Sequence, residues 1–182
     1  MNLSKTNIAK NRTGKSAAVQ KLEDLILEDL KKRYPNNPYP PKRKYTDQTS
    51  NGLTRCIMDF LKVSGHQAER INSTGRMIDN TKTVKDCIGR VRKVGSVQWV
   101  KGTGRTGTAD ISATILGRSV KIEVKCAATG DRYQSEEQKD YQKEIEAAGG
   151  TYVIARTFEG FMEWFNGFLK EITIKCQRNG KR

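Results

Sequence analysis

Hydrophobic residues recur at helical spacing in four stretches of this chain and alternate with polar ones in several shorter ones. Val19, Leu22, Leu25, Ile26 and Leu30 form one stripe, which predicts an amphipathic helix over residues 16–33. All four prolines crowd into residues 35–41, so that helix stops there and a stiff connector follows. The stripe is expected to pack on the body of the protein, with a dimer contact as the other reading. Leu53, Ile57, Phe60 and Leu61 predict a second helix over 50–63, ended by Gly65. Gln138, Tyr141, Ile145 and Ala148 predict a third, with Ser135 as N-cap, Gln138 at the capping-box position and Gly149-Gly150 as the stop. Phe158, Phe161, Met162, Phe165 and Leu169 predict a closing helix, followed by Ile172, Ile174 and a basic tail.

Two-residue alternation marks the strands. Residues 67–72 form one. Residues 81–84, 90–94 and 97–100 follow, with turn signals at Asp79-Asn80 and Gly95-Ser96. Trp99, between Val97 and Val100, is expected in the core. Residues 151–155 read as a buried strand. The most informative stretch is 110–125, where Gly117-Arg118 offers a two-residue type II′ turn. With that turn Leu116 pairs with Ser119, and Asp110 stands opposite Lys125, Ser112 opposite Glu123 and Thr114 opposite Lys121. Ile111, Ala113 and Ile115 then share a buried face with Val120, Ile122 and Val124, and the other face is polar. Asp110 and Glu123 become diagonal neighbours about 7–8 Å apart, able to share one hard cation.

Charge directs attention to a polyanionic partner. The net charge is +14 and the isoelectric point about 9.8. Residues 1–45 carry eleven Lys/Arg against four acids, and residues 175–182 carry four Lys/Arg and no acid. The basic ends read as nucleic-acid arms on a nearly balanced body. Six Lys/Arg lie between Arg76 and Lys93, either a solvated face or a surface that tracks a nucleic-acid backbone. The loop 101–108 has glycines at 102, 104 and 107, which would let its backbone approach a phosphate, with Lys101 and Arg105 supplying charge. It lacks the closing Lys-Ser/Thr of a phosphate-binding P-loop and leads into a strand, which excludes that kind of nucleotide site. Cysteines at 56, 87, 126 and 176 with a single histidine, His66, lack the spacing of a structural zinc site and fit free thiols in a reducing cytoplasm. No apolar run reaches membrane length, so no membrane partner is expected.

An acid, a short gap and then Glu-x-Lys resembles the signature of the PD-(D/E)XK nuclease superfamily. The longer match is to its VRR-NUC branch, whose stand-alone members are small and often phage-borne. Gly107-Thr-Ala-Asp110 resembles that branch's strand entry and Ile122-Glu-Val-Lys125 its Glu-Val-Lys strand. Ser135-Glu-Glu-Gln138 resembles its helix start, and residues 149–155 its next strand. The resemblance covers about residues 52–165. It implies an α/β fold with a restriction-endonuclease-like mixed central sheet flanked by helices and a nuclease domain at 46–169; the first stripe and the charge set an N-terminal helical arm at 1–45 and a basic tail at 170–182 outside it. It implies a DNA endonuclease dependent on Mg²⁺, with Mn²⁺ able to substitute, and structure-selective cleavage of junctions or flaps, a dimeric resolvase being one form of it. Asp110, Glu123 and the Val124 carbonyl would hold the metal, Lys125 would act on the attacking water, and Gln138 would point into the cleft unless it serves only as a cap. Arg70, Asn72, Arg76, Lys101, Arg105 and Arg132 are the candidate DNA contacts. The branch carries a helix glutamate where this chain has Asn51-Gly52, so Asp47, Glu69 or water would have to stand in. Three other readings remain: a cross-strand Asp110–Lys125 salt bridge with no chemistry, a DNA-binding protein that kept the fold without activity, and an RNA-directed nuclease.

Overall fold

The computed structural model describes residues 15–72, 75–102 and 104–179, with the backbone alone at Lys175, Cys176, Arg178 and Asn179. Residues 1–14 and 180–182, the outer parts of the basic ends read above as nucleic-acid arms, lie outside the described residues.

Alternation delivers the expected hairpin. Ile111, Ala113 and Ile115 of β6 (Ile111–Ile115) are buried, as are Val120, Ile122 and Val124 of β7 (Arg118–Val124). The register differs from the expected one. Ile115 pairs with Arg118 and Ile111 with Ile122, so Leu116-Gly117 forms the turn. Both turn residues have positive φ, 47° and 75°, the mark of a type I′ turn where a type II′ turn was expected. Leu116 thereby sits in a left-handed conformation that costs an L-residue about 1 kcal/mol, and its side chain is exposed. Leu116→Asn is therefore expected to stabilise the protein by about 0.5–1 kcal/mol, raising the thermal midpoint by about 1–4 °C. A lower midpoint would show that the leucine side chain contributes more than its backbone costs.

The hairpin forms the centre of a four-stranded mixed sheet. β1 (Gln67–Arg70) is antiparallel to β6, and β8 (Thr151–Ala155) is parallel to β7, which gives the order β1-β6-β7-β8. One face is covered by α1 (Ala17–Arg33), α2 (Ser50–Val63) and α4 (Phe158–Asn179). Val19, Leu22 and Ile26 of α1 join that core, so the first stripe packs on the body. Phe60 meets Phe158, Phe161 and Phe165 edge-on at centroid distances of 5.1–6.3 Å. α4 runs well beyond residue 170, and Ile172, expected in a tail, is buried on it. The other face is covered by α3 (Glu136–Ala147), through a smaller cluster of Ala109, Tyr141 and Tyr152.

Between β1 and β6 the chain makes a long β-ribbon. β2 (Arg76–Asp79) pairs with β5 (Val97–Val100), and β3 (Lys82–Lys85) with β4 (Val91–Val94), in one continuous register kinked at Gly95. Nearly every ribbon residue is exposed. Trp99, expected in the core, is 64% exposed: it lies opposite Met77 on the ribbon, where no second layer covers it. Among the described residues no helix is long and apolar enough to cross a membrane.

Candidate active site

Asp110 lies one residue before β6, and its Oδ2 accepts the Val124 N–H at 2.9 Å. That bond continues the β6–β7 ladder past the Ile111–Ile122 pair, and the same register sets Asp110 directly across from Glu123. Directly opposed positions lie about 5 Å apart, closer than the diagonal placement expected from the other turn. The Asp110–Lys125 salt bridge of the alternative reading is not formed. Lys125 pairs instead with Glu123, Nζ to Oε1 3.6 Å, and with Asp131, 3.3 Å to each carboxylate oxygen.

Glu123 is only 3% exposed, and its carboxylate is held by three side chains. Gln138 Nε2 donates to Oε1 at 2.6 Å, the Tyr152 hydroxyl reaches Oε2 at 3.5 Å, and Lys125, one residue past β7, approaches Oε1 at 3.6 Å. Burial first, and then the Asp110 charge, push the Glu123 carboxyl up to about 7, while Lys125 and Tyr152 partly oppose the shift. The phenol of Tyr152 is pushed up as well, by burial and by Glu123. A carboxylate this costly to ionise, facing a second carboxylate, gains most from a cation placed between them.

Gln138 does both things the sequence left open. Its Oε1 accepts the Ser135 N–H at 3.0 Å and completes a capping box, while its Nε2 holds Glu123. The two ends of one amide thus tie the start of α3 to the acid on β7.

The donor set fits a hard divalent ion. Asp110 offers Oδ1 beside the Oδ2 that takes the Val124 N–H, Glu123 supplies a second carboxylate, and the Val124 carbonyl lies in the chain between Glu123 and Lys125. Mg²⁺ keeps several waters and needs few protein oxygens. Among the described residues no group of three or more His, Cys, Asp or Glu converges, so any such ion would rest on two carboxylates and backbone or water. Neither candidate for the missing helix acid joins them. Asp47 is buried beside α2, where its carbonyl accepts the Cys126 thiol at 3.3 Å. Glu69 is exposed and faces Ser112 across the β1–β6 ladder. At the expected position Asn51 Oδ1 accepts from Arg70 Nη2 at 2.9 Å.

The candidate DNA contacts are scattered. Arg70 is engaged with Asn51, and Asn72 is exposed beyond β1. Arg76 stands at the foot of the ribbon, with exposed Lys101 just past its other strand. Arg105 is bound to Glu144 of α3 by two hydrogen bonds of 2.5 and 2.8 Å. The loop glycine at 107 serves internal packing, since a Cβ there would meet the Glu137 backbone at 2.5 Å. Arg132 extends into solvent on the loop after Lys125, and its carbonyl accepts from Arg156 at 3.0 Å.

Tyr152 and Asp131 were not singled out as site residues by sequence. Tyr152 sits inside an apolar strand, and only the parallel β7–β8 pairing puts its hydroxyl beside Glu123. A tyrosine in a strand next to a Glu-x-Lys strand was the available signal. Asp131 reaches Lys125 from an irregular loop that periodicity does not describe. No protein-family model, curated protein or solved structure matches this chain.

Proposed function

We propose that this protein is a divalent-metal-dependent endonuclease that hydrolyses phosphodiester bonds in DNA, on a restriction-endonuclease-like sheet of the VRR-NUC kind that its motifs resemble. The observation that carries the reading is the direct opposition of Asp110 and Glu123, with buried Lys125 against the second acid.

Asp110, Glu123 and the Val124 carbonyl would hold Mg²⁺ or Mn²⁺. The ion supplies positive charge against the phosphate and makes water a stronger acid. Lys125 offsets the two acids and presents its ammonium where an attacking water can be oriented. Gln138 and Tyr152 fix the Glu123 carboxylate so that it need not reorganise during the reaction. Selectivity for junctions or flaps, a homodimeric form and a cytoplasmic location rest on the resemblance and on charge.

One observation favours a second reading, a DNA-binding protein that kept the fold without activity: an amide, Asn51, occupies the place of the helix glutamate and is already bonded to Arg70. Labelled duplex, flap, fork and four-way-junction DNA, with single-stranded RNA alongside, would be incubated with Mg²⁺, Mn²⁺ or EDTA. Metal-dependent cutting of at least one DNA is the expected outcome. Intact substrates throughout would leave the non-catalytic reading, and cutting of RNA alone would make the protein a ribonuclease.

A further inference from the structure

We infer that the β2–β5 ribbon is an arm that lies in the major groove of duplex DNA and holds the duplex against the candidate site. The arm rests on the nuclease reading for the site against which it holds the duplex, but not for the charge that selects a duplex. Among the described residues the ribbon pairs only with itself, and both of its faces are open. An isolated two-stranded ribbon is marginal in water, and one that exposes Met77, Val91 and Trp99 at 64–68% carries the surface of a bound element.

Charge selects the occupant. Residues 76–100 hold six Lys/Arg and two Asp, and both acids are consumed locally. Asp79 accepts the Thr81 N–H, while Asp86 caps the tip loop and pairs with Arg92 at 3.6 Å. Lys82, Lys85 and Lys93 make no ion pair among the described residues. The pairing sets Lys82 and Arg92 on one face and Lys85 and Lys93 on the other. A protein partner would be met by one face cleared of charge. A groove instead presents phosphates along both walls, which suits cations on both faces. A second copy of so basic an arm would be repelled.

Dimensions agree. A major groove about 12 Å wide admits a two-stranded ribbon. The strands run over residues 76–85 and 91–100, and at about 3.3 Å per residue each spans roughly one duplex turn. The ribbon leaves the sheet between β1 and β6 at the end where Ile71 N–H bonds the Asp110 carbonyl, so a duplex on the ribbon passes the two acids.

The test replaces Lys82, Lys85, Arg92 and Lys93 together with Gln and measures binding to a short duplex by fluorescence anisotropy, in EDTA and over a range of salt. The slope of log K against log salt is expected to shrink by about 3–4, with at least a roughly tenfold loss of affinity. Thermal unfolding should not change, because all four side chains are exposed. Wild-type protein should shield guanine N7 from dimethyl sulfate, since that atom lies in the major groove. Unchanged slope and affinity would overturn the inference, as would protection confined to adenine N3 of the minor groove. A wild-type dimer that the variant converts to monomers, with DNA binding intact, would make the ribbon a contact between copies instead. Because EDTA removes cleavage from the assay, a cutting protein whose variant binds normally sinks the arm alone. A non-cutting protein whose variant loses binding sinks the nuclease alone.

Discussion

Asp110→Asn and Glu123→Gln should each lower DNA cleavage by about a thousandfold or more, while affinity for DNA in EDTA stays the same or tightens slightly. Each amide keeps the shape of the acid it replaces. The asparagine amide oxygen in the first variant can still accept the Val124 N–H. The glutamine amide in the second can still accept from Gln138 while donating to the Tyr152 oxygen. What disappears is the anionic oxygen that a hard cation requires, and with it one negative charge facing the phosphate. Calorimetry with Mn²⁺ should give no binding heat for either variant. Lys125→Ala separates the roles, because it should lose activity but keep the heat. Full cleavage and normal Mn²⁺ heat in Glu123→Gln would remove this pair from the reaction altogether.

Without metal, Glu123→Gln should also be more stable than the wild type at pH 8. The Glu123 carboxyl ionises near 7 in the folded protein against an ordinary 4.5, so folding takes up a proton between those values. Stability therefore falls as pH rises from about 4.5 through 7 and then levels off. A shift of that size corresponds to about 3 kcal/mol. The variant avoids the loss, so the gap between the two proteins should open across that window and close towards pH 4.5. At pH 8 it amounts to about 5–10 °C in thermal midpoint. Mn²⁺ should reverse the order by binding only the folded wild type. A variant that melts below metal-free wild type at pH 8 would mean the ionised acid is a net asset to the fold, held by Gln138, Tyr152 and Lys125 more strongly than burial opposes it.

Periodicity read the helices and the central hairpin well, because each has one buried face. Val19, Leu53, Tyr141 and Phe161 are buried where their stripes predicted. It could not choose between registers two residues apart, since both keep Ile111, Ala113 and Ile115 inward. The turn decided that choice, and Leu116 in a left-handed conformation is what a rule based on residue preference ranks low. Trp99 failed for another reason: alternation reports that a strand is half-buried but not whether a second layer exists to bury it. In the candidate site, the Asp110–Glu123–Lys125 spacing and the position of Gln138 were legible. The Tyr152 and Asp131 contacts were not, since they depend on a parallel crossover and an irregular loop.

The ribbon has a consequence for how fast this chain can find its sheet. β1 must meet β6 across forty intervening residues, and closing a loop of that length is entropically slow. Residues 76–100 zip onto themselves by contacts of short sequence separation, and their two ends, Arg76 and Val100, finish side by side. Once the ribbon has formed, the segment left to close is less than half as long, an entropic saving of about 0.6–1 kcal/mol. A hairpin of this length forms in microseconds, well before a four-stranded sheet assembles. The insertion that separates the two strands in sequence thus brings them together in time.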